Sequence, residues 1–312
     1  MRMSDPHIRI AFYCLLSTTL ICGWFSPVAA GTRVGPPVTF GAPQTVAVGA
    51  PFLVRFASFE KLDAVEITWE NRHVTPSIAE SAGTYQALAM LGTGMNAKPG
   101  VRTLKIRADS AGQTRTYQKL VEIVPRAFPK EALSVAPKMN KPPEAVLARI
   151  KRELAAMKGA LREVSPERLW EVPFHRPVEG VMLSRFGLHR TYNQETKRRH
   201  TGLDFRAPLG TDIKAIAAGK VLLVGEFYLP GNTVVIDHGN GVVSMCMHLS
   251  EVLVSEGDLV KRGQTFGRSG ATGRVTGAHL HLSVSVQGVT VDPAPLFERD
   301  TLAGAAAALQ LK

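Results

Sequence analysis

The chain has 312 residues, 45% of them hydrophobic, and a formal net charge of +11. At roughly 100–200 residues per domain, that length accommodates two domains with real cores. The positive charge suits an anionic polymer such as nucleic acid, anionic lipid, teichoic acid or peptidoglycan. No RNA-binding or helix-turn-helix pattern and no basic stripe with interleaved aromatics accompanies it, so nucleic acid is not expected as a partner.

Arg2 and Arg9 flank the start of an apolar run, IAFYCLLSTTLICGWF, which SPVAAG follows. The run is short for a membrane span of ~20 residues. Val28 and Ala30 suit signal-peptidase cleavage after Ala30. The expectation is a signal peptide over residues 1–30, export to the periplasm, and no stable membrane insertion after cleavage. An N-terminal anchor in the inner membrane and full secretion are the alternatives. Cys22 raises lipidation, but the bulky Ile21 precedes it where a small residue is expected. The three cysteines are Cys14, Cys22 and Cys246. Only Cys246 would remain after cleavage, which excludes an intramolecular disulfide and a thiolate-rich zinc site.

From Gly31 to about Pro129 the segments FLVRFAS, AVEITW, RTLKIRAD and TYQKLVEIV show strand-like alternation, separated by turn signals such as KPG and SAGQ. Short strands over roughly 100 residues predict an immunoglobulin-like β-sandwich at residues 31–129. His73, its one histidine, reads as a surface residue. A proline-bearing connector, FPKEALSVAPKMNKPPE, comes next. Val146, Ile150, Leu154, Met157 and Leu161 then recur at three-to-four spacing, which predicts an amphipathic helix from Pro143 to Val164 within a 130–172 linker. Its expected role is to pack on a domain. Its place directly ahead of the last domain would also let it shield a groove there.

From about Phe174 the chain is β-rich again, over a domain at 173–300 with a 301–312 tail. HGNG between two apolar runs predicts a hairpin with His238 at its turn. The end of the chain, AGAAAALQLK, can form a short helix or fray. The overall expectation is a mainly β protein: a sandwich, a connecting helix and a C-terminal antiparallel sheet.

The chemistry concentrates in this last region. HTGLDF places His200 four residues before Asp204, and HLHLSV places His279 two residues before His281. On a strand, the HxH pair projects from one face, with Leu280 and Leu282 on the other. Gly202 would bend the first pair away from strict strand geometry. Zinc accepts imidazole and carboxylate, and a catalytic zinc takes three protein ligands. Two histidines and Asp204 meet that count and leave other histidines, His248 of MHLS among them, free for proton transfer. Each motif alone is weak; their joint presence on one β-rich domain is not.

The ordered segments LSRFGLHR, HTGLDFRAPLGTDIKAIAAGKV, NTVVIDHGNGVVSMCMHLS and VKRGQTFGRSGATGRVTGAHLHLSV resemble the lysostaphin-type, or LytM-type, zinc metallopeptidases. The likeness covers about residues 174–297, and the region before it resembles the accessory part of some Gram-negative members. It implies one zinc ion held by His200, Asp204 and His281, with His248 and His279 as the catalytic histidines. It implies an endopeptidase acting on peptidoglycan stem peptides, with the D-alanine-to-diaminopimelate crosslink as the expected bond and a glycine bridge as the alternative. The rival reading is a non-catalytic relative that regulates cell-wall amidases; retention of all five residues speaks against it. Two positions depart from the family pattern: Cys246 stands where tyrosine is common and Ala278 where proline is. Cys246 is expected to be semi-buried, on the strand face of His248, and not a nucleophile. Tyr192 and Tyr228 are candidates for a substrate-contacting tyrosine. His175 and His189 read as loop or groove residues. Lys197–Arg199 reads as a solvated loop that can also hold acidic stem-peptide carboxylates.

Overall fold

The computed structural model describes residues 38–133, 143–162, 165–192 and 196–298. The expected signal peptide, with Cys14 and Cys22, and the alanine-rich tail lie outside these residues. Among the described residues, no helix is long and apolar enough to cross a membrane.

The N-terminal strands form two sheets. One runs in the order Val38–Gly41, Pro51–Ser58, Thr84–Gly92, Ile78–Ser81; the other runs Thr45–Ala47, Gln113–Val124, Gly100–Ser110, Ala64–Trp69, Arg72–Val74. The alternation in AVEITW does what period two requires: Val65, Ile67 and Trp69 turn inward and are fully buried. They meet Phe52, Val54 and Phe56 of the opposite sheet in one apolar layer. The region is therefore a two-sheet β-sandwich with these strand orders. His73 is exposed and bonds to Thr68 across its strand pair.

The helix spans Glu144–Ala160. It begins at the Pro-Pro punctuation and carries mostly good helix formers, with Glu144 in its first turn and Lys158 in its last, both complementary to the helix dipole. Ile150 and Met157 are buried, but Leu154 is 45% exposed, which corrects the expected stripe. The buried line rolls onto Glu153 instead. Its carboxylate accepts from the Tyr228 backbone N–H at 2.8 Å and from Arg149 Nε at 2.5 Å. The helix thus packs on strand Gly219–Phe227 through polar as well as apolar contacts.

The C-terminal sheet is antiparallel in every pairing. Its main path is Met182–Ser184, Leu203–Phe205, Leu280–Val286, Val242–Val252, Gly231–Asp237, Gly219–Phe227 and Leu259–Val260. One face buries Leu203, Phe205, Val234, Ile236, Leu280, Leu282 and Val284 in the main core. The other carries a smaller cluster of Val235, Val243 and Met245, against which Ala160, Leu161 and Met247 pack. The expected HGNG hairpin joins Gly231–Asp237 to Val242–Val252. His238 sits at it as predicted, but fully buried.

Two local readings change. His189 lies in a strand, His189–Tyr192, and stacks on Phe128 at 11° between ring planes, so it is not a loop residue. Thr196–Arg199 is the strand beside it, not a solvated loop. Arg199 there reaches Asn96 Oδ1 at 2.6 Å and Met95 O at 3.3 Å. His175 does lie in a loop, with Nδ1 bonded to Arg176 O.

Candidate metal centre

Strand Leu203–Phe205 pairs with Leu280–Val286 so that Asp204 lies directly opposite His281. Directly opposed residues share a face, so the pairing alone brings the carboxylate to the imidazole. His200 enters from the connection before Leu203 and is pinned by the LSRFGLHR segment. Its N–H donates to Leu188 O, its carbonyl accepts from Gly187 N, and its Nδ1 donates to Arg185 O at 2.9 Å. Gly187 is required there: a Cβ would lie 2.0 Å from Phe128 Cδ1, and its φ is +82°.

Three atoms converge. His200 Nε2 is 2.9 Å from Asp204 Oδ1 and 3.0 Å from His281 Nδ1, and His281 Nδ1 is 2.8 Å from Asp204 Oδ1. The protonation of both rings follows from their far sides. His200 Nδ1 faces a carbonyl and must carry a proton, so Nε2 is the nitrogen left to take a metal. His281 Nε2 is 2.9 Å from Ser283 Oγ, whose own hydrogen goes to Thr201 O at 3.0 Å. The hydroxyl therefore accepts from His281 Nε2, and Nδ1 keeps its lone pair. Two neutral imidazole lone pairs and a carboxylate oxygen facing one another repel unless a cation lies among them. The donor set, two imidazoles and one carboxylate, is one that zinc takes. These are the residues among those described that group as potential metal ligands.

Burial alone would raise the Asp204 carboxyl; with a proton on His200 Nε2 or His281 Nδ1 in the place a metal would take, hydrogen bonds and charge from those rings outweigh it and hold it well below the usual carboxylate range. Burial lowers His281 against the pull of Asp204. Gly202 explains the small residue of HTGLD. A Cβ there would sit 2.2 Å from Leu282 O and 2.9 Å from His281 Nε2.

His248 and His279 stand beside this triad. Their ring centroids are 4.9 Å apart, and His248 is 6.2 Å from the His281 ring. His279 Nε2 lies 3.8 Å from Asp204 Oδ1. His248 has φ +65° where the ladder between Gly231–Asp237 and Val242–Val252 shifts register. A bulge of this kind re-aims a side chain out of strict alternation. Hence Cys246 does not share the face of His248: it pairs with Leu282, joins the main core and is 2% exposed. Burial pushes its thiol up to about 12, so it is no nucleophile.

The glycine-rich segment holds both of these histidines. Thr272 O accepts from His248 Nδ1 at 3.0 Å, and Gly270 O accepts from His279 N at 3.2 Å. A Cβ on Gly270 would lie 2.8 Å from His248 O. Burial lowers the His248 pKa to about 4, despite the Thr272 carbonyl, with the neighbouring His281 and His279 adding to the effect. Tyr228 faces the helix, with the Arg149 guanidinium carbon 5.9 Å from its ring centroid. Sequence reasoning missed Ser283 and Thr272. Ser283 had a signal, since it stands two residues from His281 on the same strand face.

The profile of Peptidase family M23 matches residues 198–293. A Vibrio cholerae protein described as peptidoglycan DD-endopeptidase ShyA is 44% identical over 105 residues, 33% of this chain and 24% of its own. A Neisseria meningitidis protein described as DD-carboxypeptidase/endopeptidase Mpg is 41% identical over 110 residues, 35% of this chain and 25% of its own. The chain thus spans about a quarter of the length of these curated relatives. A solved structure from Pseudomonas aeruginosa, described as a candidate M23 peptidase, aligns with TM-score 0.60 and 31% identity over 80% of this chain and 94% of its own. That alignment takes in far more than the motif-bearing strands, and on its breadth the chain belongs to peptidase family M23.

Proposed function

We propose that this chain is a zinc-dependent endopeptidase that hydrolyses peptide crosslinks of peptidoglycan, with the D-alanine-to-diaminopimelate bond as its target. The observation that carries the reading is the convergence of His200 Nε2, Asp204 Oδ1 and His281 Nδ1 with a second imidazole pair beside it. The names of the Vibrio and Neisseria relatives supply the substrate class.

In this reading His200, Asp204 and His281 hold one zinc ion. Bound in such a shell, zinc lowers the pKa of water toward ~7 and polarises a carbonyl. His248 and His279 move the protons. Each has Nδ1 against a backbone carbonyl, Thr272 O for His248 and Gly277 O for His279, so each presents an Nε2 lone pair. Burial lowers the His248 pKa to about 4, so the ring is neutral at pH 7 and its Nε2 is free to receive the proton of the attacking water, as a weakened base. An imidazole that has taken that proton can deliver it to the departing amine.

The remaining organisation belongs to the same proposal: a signal peptide at 1–30, export to the periplasm, an accessory sandwich at 31–129, a linker with the helix at 130–172 and the peptidase region at 173–300.

Metal analysis joined to digestion of purified crosslinked muropeptides tests the reading. Wild type should carry about one zinc per chain and cut the crosslink. His281→Ala should lose both metal and cleavage. His279→Ala should keep the metal and lose cleavage by ~10²–10⁴-fold, the usual contribution of a positioned proton-transfer group. If both variants cut as well as wild type, the assignment is wrong. A protein that loads zinc and cuts nothing favours the regulatory role.

A further inference from the structure

We propose that the cleft between the sandwich, the end of the helix and the C-terminal sheet is a carboxylate subsite that takes an acidic arm of the peptide substrate. This inference rests on the endopeptidase reading above. The cleft measures about 1020 Å³, and Arg72, Lys158, Arg162, Arg199 and Thr201 line it.

Its charge is one-sided. The acid on its lining, Glu70, is paired with Arg72 and lies 3.8 Å from Arg102. Among the described residues, Lys158, Arg162 and Arg199 have no carboxylate partner. Arg199 is fixed by two neutral acceptors, Asn96 Oδ1 and Met95 O, which orient its guanidinium and leave its charge uncompensated. Arg72 Nη1 is buried and has no hydrogen-bond partner, although a buried donor left unpaired costs the fold. Cations gathered from three separate elements into one concavity focus their field on whatever enters it.

The cleft also lies in the right place. Thr201 on its wall follows the candidate ligand His200, and its carbonyl anchors Ser283, which orients His281. Leu161, beside Arg162, packs on the sheet cluster that includes Met247, the cross-strand partner of His281. A peptide bond held at the metal centre would therefore lead one of its arms toward these cations. Among the described residues the lining has no aromatic side chain on which a base could stack, which separates this cleft from a single-strand nucleic-acid groove. Guanidinium and ammonium groups without bases to read suit carboxylates on a short peptide.

The test uses two labelled linear tetrapeptides, one with free carboxylates and a twin with those groups amidated, together with crosslinked muropeptides of both kinds. Full-length, metal-loaded wild type is compared with the double variant Lys158→Gln/Arg162→Gln. Both positions are exposed, so the variant should fold. Wild type should bind the free-acid peptide about tenfold more tightly than its twin, the sum expected of two or three solvent-accessible ion pairs. High salt should shrink that preference. The double variant, which keeps Arg72 and Arg199, should lose most of it, with KM for the free-acid crosslinked substrate raised several-fold and kcat held. Equal binding of the twins by wild type, or a preference undiminished in the double variant, overturns the subsite. Charge-dependent binding without any cleavage by wild type would retire the endopeptidase reading and keep the subsite. Cleavage that ignores amidation would do the reverse.

Discussion

At the scale of single residues, Ser283 decides which nitrogen His281 offers. Its hydroxyl hydrogen is committed to Thr201 O, so the oxygen receives His281 Nε2–H and turns Nδ1 toward Asp204 and His200. Hydrogen-bond partners of metal-binding imidazoles of this kind typically contribute 10–100-fold to metal affinity. Ser283→Ala should therefore weaken zinc binding by that factor in a chelator competition, while a cooperative thermal transition persists. An unchanged chelator midpoint would show that the Gly202 backbone and the strand alone fix the ring. The residue scale is also where the sequence was most legible. Side-chain type and spacing marked out the group of His200, Asp204, His248, His279 and His281, and the family resemblance, not the spacing, divided it into expected ligands and expected proton carriers. Arg185 O and Thr272 O could not be marked out this way, since any residue at those positions presents a carbonyl.

At the scale of elements, period-two reasoning worked where strands are regular and failed where they are not. HLHLSV read correctly because Leu280–Val286 is an unbroken strand with Leu280 and Leu282 in the core. MCMHLS did not, because the positive φ of His248 breaks the alternation that placed Cys246 beside it. The helix was legible as an element, but its buried line was not, because a Glu153 hydrogen bond displaces Leu154 from the contact. The HGNG hairpin gave its turn to the sequence and hid the burial of its histidine. His238 donates from Nδ1 to Ala218 O at 2.9 Å and accepts at Nε2 from Ser244 Oγ at 2.8 Å. Burial lowers its pKa to about 4 from 6.5, against the opposing effects of the Ala218 carbonyl and Asp237. The sign follows directly. Above pH 6.5 both folded and unfolded chains hold it neutral. Below that the unfolded chain takes up a proton that the folded chain refuses, so stability is lost as pH falls from 6.5 to about 4. The full loss is about 3 kcal/mol. Urea unfolding at pH 7 and pH 4.5 should show a smaller acid penalty in His238→Asn than in wild type, although the variant starts lower. Equal penalties would place the acid sensitivity elsewhere.

At the scale of the whole molecule, the sandwich and the C-terminal sheet share a core. Leu53 and Met90 come from the sandwich, yet they bury in the same cluster as Val286 and Val291. A Cβ on Gly92 would lie 2.4 Å from Val291 Cγ1. Asp292 ties the two together at two polar points: its N–H donates to Gly49 O, and Arg126 Nη2 donates to its Oδ2 at 2.6 Å. The carboxylate is 6% exposed and the Arg126 side chain 30%, so this pair is neither a surface bridge nor a fully buried one. Removing one partner of a buried pair costs more than removing both, because the survivor keeps a desolvated charge with nothing to offset it. Partial exposure of Arg126 moderates that cost to about 2 kcal/mol. Asp292→Ala should therefore lower the thermal midpoint by roughly 4–8 °C in one transition, since a shared core leaves no independent unit to melt first. The double variant Arg126→Met/Asp292→Ala should recover part of that loss. A double variant less stable than the single by the full cost of a second lesion would show that Arg126 stabilises the junction by packing on Phe128, whose ring centroid lies 5.1 Å from its guanidinium carbon, and not through its charge.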